Sequence, residues 1–166
     1  AFMEEPNSTD SLVLAATTAW WLVAGLCLCA VADVLLELKF EAGMLVFALG
    51  HVCYIAAFIS RRGPTAVHIA LFLALAAIAL WVTRKLKKPL DGLYAPVSVY
   101  SMLILAMLTL SFGQPLPALI GAVLFVISDS LILYRLVRPA GRLNDAACIL
   151  LYYCGQYLLA LSAFFL

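Results

Sequence analysis

The fold class this sequence predicts is all-α, a polytopic bundle of membrane-spanning helices. Three observations predict it. Of the 166 residues, 66% are hydrophobic and only 11% are charged, with a mean hydropathy of +1.11. A water-soluble domain carries about a quarter charged residues, so this chain has too few to cover a surface facing water. The apolar residues also gather into six long runs, roughly 12–38, 42–60, 65–84, 92–112, 116–137 and 144–166. Each is near or above the ~20 residues a bilayer-crossing helix needs. Finally, Gly, Pro and charged residues cluster between the runs, in RRGPT (61–65), KKPLDG (87–92), FGQPLP (112–117) and RPAGR (138–142). A segment in hydrocarbon must satisfy its own backbone groups, which a helix does. Nothing resembles a linker, so residues 1–166 read as a single transmembrane helical domain.

The first run is expected to start at an Asp10 cap and the last at an Asn144 or Asp145 cap. The opening AFMEEPNSTD is acidic, lacks the basic start of a signal peptide and does not begin with Met. Further helices are therefore expected upstream in a longer protein. Lys and Arg set the orientation. Arg61 and Arg62 fall on the side where the first run begins. Lys39, Arg84, Lys85, Lys87, Lys88, Arg135, Arg138 and Arg142 fall on the other, which is expected to be cytoplasmic. Asn7-Ser8-Thr9 is a glycosylation sequon on the outer side, a pattern common by chance.

Several functions are disfavoured at once. A net charge of +1 offers no basic face for nucleic acid. Cys27, Cys29, Cys53, Cys148 and Cys154 all lie in apolar runs without zinc spacing and read as small packing residues. No nucleophile elbow, H-E-x-x-H, Walker or Rossmann motif occurs, so no cofactor or metal is implied.

What remains is a set of polar residues inside the runs: Asp33, His51, Tyr54, Tyr100, Ser101, Ser128, Asp129, Ser130, Tyr152, Tyr153, Gln156 and Tyr157. An Asp at a helix centre costs about 2.5–3.5 kcal/mol on insertion scales. Counted inward at 1.5 Å per residue from the basic side, Asp33 lies about 8 Å deep, Tyr100 and Asp129 about 12 Å, His51 about 15 Å, and Tyr152 to Gln156 about 14–20 Å. Five helices thus place polar groups in one layer, as a polar pocket requires. Hydrogen-bonded packing between helices is the competing reading of the two aspartates. His51 alone reads as a packing residue. His68 reads as interfacial, and Trp20, Trp21, Trp81 and Tyr94 as belt or packing residues. Glu37, Lys39 and Glu41 read as a solvated turn. A faint internal echo links VADVLLEL with VISDSLIL, and GHVCY with GQYLL.

Hydrocarbon disfavours the charged form of a carboxyl group. Asp129 is therefore expected to be kept as an acid. A protonated carboxyl beside a second one is a proton donor suited to acid–base catalysis.

The runs ADVLL (32–36), F-x-x-G-H-x-x-Y (47–54), P-V-x-x-Y-S (96–101), G-A-V-L-F-x-x-S-D-S (121–130) and Y-Y-x-x-Q (152–156), in this order, resemble the YhhN family. Ala32 stands where that family often has Gly, and Gly155 where it often has Ala; neither change removes a polar group. The resemblance implies an eight-helix full-length protein that hydrolyses the vinyl ether bond of lysoplasmalogen to a fatty aldehyde and a glycerophospho-choline or -ethanolamine. It implies Asp33 and Asp129 as catalytic residues, and His51, Tyr54, Tyr100, Ser128, Tyr153 and Gln156 as substrate-positioning residues. The partners implied are the lysophospholipid, water and membrane lipid, with a homo-oligomer left open. The membrane would be the endoplasmic reticulum in a eukaryote, or the inner or plasma membrane in a bacterium. Lys39, Arg84, Lys85 and Arg135 would attract the lipid phosphate, or serve only as orienting charges. Two other functions fit the same residues. One is a proton-coupled transporter or channel with the Asp/His set as a relay; the other is a lipid-binding scaffold.

Overall fold

The computed structural model describes residues 8–139 and 141–165, so Asn7 of the sequon lies outside the described residues. The chain runs through α1 (Ser8–Leu38), α2 (Phe40–Arg61), α3 (Ala66–Lys85), a short α4 (Lys87–Leu90), a 3-10 turn (Asp91–Leu93), α5 (Tyr94–Ser111), α6 (Leu116–Val137) and α7 (Arg142–Leu161). A second 3-10 turn, Ser162–Phe165, follows α7. Six of these stretches are long and apolar enough to cross a membrane. No strand occurs among the described residues.

The helix ends follow local chemistry. Thr65 caps α3, and the His68 ring answers it: Nδ1 accepts the Thr65 backbone N–H at 3.0 Å and lies 2.8 Å from the Thr65 hydroxyl. That spends His68 on the helix end. Pro96 is the third residue of α5, where a missing N–H breaks no helical bond. Asp91 takes a positive φ of 46° and turns the chain between α4 and α5. Two caps differ from expectation. Asp10 lies inside the first turn of α1. The cap of α7 is Gly141, which leaves Asn144 and Asp145 inside its first turn, because Gly141 is extended (φ −90°, ψ 170°) and the helical backbone begins at Arg142.

Two antiparallel pairs, α1 with α2 and α6 with α7, make the closest helix contacts; α5 stands between them, and α3 leans mainly on α5. The same device closes both pairs. A Cβ added to Gly25 would lie 3.1 Å from the Gly50 carbonyl oxygen, and one on Gly50 3.2 Å from that of Gly25. In the second pair, a Cβ on Gly121 would lie 2.9 Å from the Gly155 carbonyl oxygen, and one on Gly155 3.0 Å from that of Gly121. Close backbone approach through small residues is how helices gain contact in lipid, where no hydrophobic force drives them together. Near the outer end, the Thr18 and Ser60 hydroxyls meet at 3.2 Å between α1 and α2.

The buried centre gathers Phe47, Tyr54, Phe58, Met107, Phe125 and Leu159. The outward faces are apolar too: Trp20 is 73% exposed and Trp81 59%. Such surface suits contact with lipid. At the basic side, Lys85 Nζ sits 4.0 Å from the Trp81 ring centroid, and Lys87 Nζ lies 5.4 Å from that of Tyr94. Cys29 and Cys53 are buried as packing residues, whereas Cys27 and Cys154 are exposed on helix faces turned away from the core.

Gly121→Val drives its side chain into the α7 backbone. It is expected to destabilise the protein by about 1–3 kcal/mol, measured by unfolding in mixed detergent micelles.

Candidate active site

Asp33 is carried by α1 and Asp129 by α6, each eight residues on from the glycine at which its helix crosses its partner. Because α1 and α6 run in the same direction, that shared spacing sets both carboxyls at similar depth. Both lie on the wall of one cavity of about 570 Å³, to which all six long helices contribute. Leu36, Met44, Phe47, Ile104 and Leu133 supply apolar wall, and Glu37, Arg135 and Asp145 also border it. Glu37 was expected in a solvated turn. Instead it stands one helical turn from Asp33 and remains exposed, which marks the basic side as the mouth. Arg135 there donates to Asp145 at 3.2 Å.

Each carboxyl is met by a tyrosine from another helix. The Tyr100 hydroxyl on α5 donates to Asp129 Oδ2. Asp129 Oδ1 is buried and has no hydrogen-bond partner among the described residues. The Tyr152 hydroxyl on α7 donates to Asp33 Oδ2 at 3.1 Å. Behind the wall the bonding continues: Gln156 Nε2 donates to the Tyr152 hydroxyl at 3.2 Å, and the Tyr54 hydroxyl donates to Gln156 Oε1 at 2.6 Å. Tyr54 is fully buried and Gln156 nearly so.

His51 is also fully buried. Its Nδ1 lies 2.9 Å from the Phe47 carbonyl oxygen. A carbonyl can only accept, so the proton sits on Nδ1 and Nε2 is left as an acceptor. Nε2 has no partner among the described residues. The ring stands edge-on to Phe125 at 4.8 Å and to Tyr100 at 5.3 Å. These rings wall in the layer one turn deeper than Asp129.

Of the polar residues singled out from the sequence, Asp33, Tyr100, Ser101, Asp129, Ser130, Tyr152 and Tyr153 border the cavity. Tyr153 is 58% exposed and forms part of the outer edge. His51, Tyr54 and Gln156 sit behind the wall rather than on it. Ser128 is turned to α7, where its hydroxyl donates to the Cys148 carbonyl at 2.9 Å. Tyr152 and Tyr153 both stood in the polar layer expected from the sequence, with the positioning role given to Tyr153; the tyrosine that touches a carboxyl is Tyr152. The available signal was spacing: Tyr152 and Gln156 are four apart and share a helix face, whereas Tyr153 points about 100° away. Among the described residues, no three His, Cys, Asp or Glu side chains gather as a metal ion would need.

Six apolar helices closed around a pair of intramembrane carboxyls define a multi-pass membrane protein with an acidic internal site. The model of the YhhN family matches residues 11–163, and the chain belongs to that family. Two curated relatives, each named lysoplasmalogenase, come from Mycobacterium bovis (strain ATCC BAA-935 / AF2122/97) and Mycobacterium tuberculosis (strain CDC 1551 / Oshkosh). Each is 35% identical over 127 residues, covering 68% of this chain and 48% of the relative. The chain thus spans about half the length of these relatives. No solved structure matches it.

Ser128→Ala removes the Cys148 bond and is expected to cost about 0.6 kcal/mol, up to about 1.7, as intramembrane side-chain bonds do. Equilibrium unfolding in mixed micelles reads the loss.

Proposed function

We propose that this protein is a lysoplasmalogenase-type hydrolase that cleaves the vinyl ether bond of a lysoplasmalogen by acid–base catalysis within the membrane. One observation carries the reading: Asp33 and Asp129, far apart in sequence, border one oil-walled cavity that opens where the charged residues lie. The name borne by the mycobacterial relatives supports lysoplasmalogen as the substrate.

Vinyl ethers yield to a proton. In the proposed reaction one carboxyl, as the acid, protonates the β-carbon of the alkenyl chain. The C=C electron pair forms the new C–H bond, and an oxocarbenium ion develops at the α-carbon. The second carboxyl, as its anion, stabilises that cation. Water adds to the α-carbon and its released proton returns to the first carboxylate. The resulting hemiacetal then collapses. Its C–O bond to glycerol breaks, the glycerol oxygen takes up a proton, and the hydroxyl proton of the hemiacetal is surrendered. The sum is alkenyl ether plus water giving aldehyde plus alcohol, with no net change of charge. The apolar wall suits the aliphatic chain and keeps bulk water from the cation. The lipid head group would stay at the charged mouth: Arg135 stands six residues beyond Asp129, about 9 Å along α6. The basic side would face the cytoplasm.

The test is aldehyde release from lysoplasmenyl-choline and lysoplasmenyl-ethanolamine by the purified protein. Asp33→Asn and Asp129→Asn are each expected to fold and to lose at least about a hundredfold in rate, the low end for a lost acid–base group. Absence of release by the unmodified protein, or full rates in both variants, overturns the reading. Proton-linked flux in proteoliposomes without aldehyde release would point to a transporter instead.

A further inference from the structure

We propose that Tyr54, Gln156 and Tyr152 form a one-way chain of hydrogen bonds that fixes Asp33 as the anionic member of the pair and leaves Asp129 to carry the proton. This deepens the hydrolase reading and rests on it for the catalytic roles, though not for the protonation states. The direction of the chain follows from what each atom can do. Tyr54 donates its single hydroxyl proton to Gln156 Oε1 at 2.6 Å. That fixes the amide, so Nε2 faces Tyr152 and donates to its oxygen at 3.2 Å. Tyr152, now an acceptor from Gln156, has its own proton for Asp33 Oδ2, at 3.1 Å. Every donor thus points toward Asp33, and a donor delivered to a carboxylate favours its charged form. Both aspartates are partly exposed and both border the cavity; what separates them is that Asp129, and not Asp33, has a buried carboxyl oxygen without a partner among the described residues.

Asp129 is placed differently. Tyr100 serves Oδ2, while Oδ1 is buried with no donor facing it. A bare anionic oxygen buried there costs far more than a neutral O–H on the same atom. Other ionisable groups around the pair do not reverse the assignment. Glu37 and Cys29 flank Asp33 on its own helix, one turn toward the mouth and one turn deeper. Arg135 from α6 and Asp145 from α7 face the cavity at the mouth and are spent on each other. Tyr100 is the ionisable residue that α5 presents to the cavity, while α2 and α3 present none: His51 and Tyr54 of α2 lie behind the wall. Tyr54, Gln156 and Tyr152 are therefore positioning residues that act through Asp33.

The decisive variant is Tyr54→Phe, which keeps the buried ring and does not border the cavity. Without that hydroxyl, Gln156 Oε1 loses its donor, the amide turns to accept from Tyr152, and Tyr152 is drawn off Asp33. For aldehyde release, kcat is expected to fall about tenfold or more, the equivalent of one hydrogen bond to a charged group. KM should stay within about twofold, since substrate contacts are untouched. Tyr152→Phe should lower kcat likewise, with no expectation for KM because Tyr152 borders the cavity, and kcat in the double variant should be no lower than in either single one. Infrared spectroscopy of the substrate-free protein gives a readout independent of activity. At neutral pH a protonated carboxyl band is expected that disappears in Asp129→Asn and persists in Asp33→Asn. In Tyr54→Phe a second band, removed by adding Asp33→Asn, should emerge. Loss of the original band in Asp33→Asn, or no band at all, overturns the assignment. An unaltered spectrum and rate in Tyr54→Phe overturns the chain. Those spectra stand even if the protein releases no aldehyde, so a failure of the chain and a failure of the hydrolase reading are told apart.

Discussion

Two carboxyl groups facing one cavity inside an apolar bundle are the arrangement on which the rest of this molecule turns. Hydrocarbon offers no hydrogen bonds, so whatever the carboxyls require must come from neighbouring helices. Tyrosine is a fitting donor: its ring packs among apolar side chains while its hydroxyl reaches a partner. Tyr100 and Tyr152 bring one donor each from α5 and α7. Phe47 packs between them, with ring centroids 6.2 Å from Tyr100 and 5.6 Å from Tyr152. The polar contacts and the aromatic packing therefore cannot be separated. A change in either ring's seat alters the hydrogen bond its hydroxyl makes.

The scaffold repeats itself around this site. Gly25 precedes Asp33, and Gly121 precedes Asp129, by the same interval. Gly50 and Gly155 receive those glycines, and each is followed by a buried polar residue, His51 or Gln156. The faint echo between the two stretches of sequence thus coincides with equivalent places in two helix pairs. The pairs are not used identically. In one, the buried polar residue passes a hydrogen bond toward a carboxyl of the other pair; in the other, His51 is tied to its own backbone and walled by rings. One architecture thus gives its two acids unequal surroundings.

Much of this was legible in the sequence because hydropathy and membrane thickness constrain so strongly. The run 116–137 coincides with α6, and the other five boundaries shift by only a few residues. The aspartates stood out because charge inside an apolar run is expensive, and they do share a cavity. Helix rotation was harder to read. Neighbouring side chains such as Tyr152 and Tyr153 point to different faces, and near-uniform hydrophobicity gives no stripe by which to tell lipid from core. For the same reason no sign in the sequence showed that the Ser128 hydroxyl bonds to α7, and Cys27 and Cys154 looked like packing residues. Glu37 was hidden by its charged neighbours, since a wet mouth and a wet turn look alike in composition. The direction of the Tyr54–Gln156–Tyr152 bonds was beyond reach because it joins residues 102 positions apart.

The glycine crossings bear on how the molecule meets different lipids. Where backbones come this close through glycine, with Tyr54 and Cys29 also packed against the Gly25–Gly50 crossing, two helices cannot slide or roll past one another without a clash. A thinner or thicker bilayer is accommodated by tilt, and here the tilt must be taken up by each pair as a block, with its acid riding on it. Helix α3, which leans mainly on α5, belongs to neither glycine-crossed pair and is the member not locked by such a crossing. Mismatch with the surrounding membrane is thereby spent on the outer wall of the cavity, while each carboxyl keeps its place on its own pair.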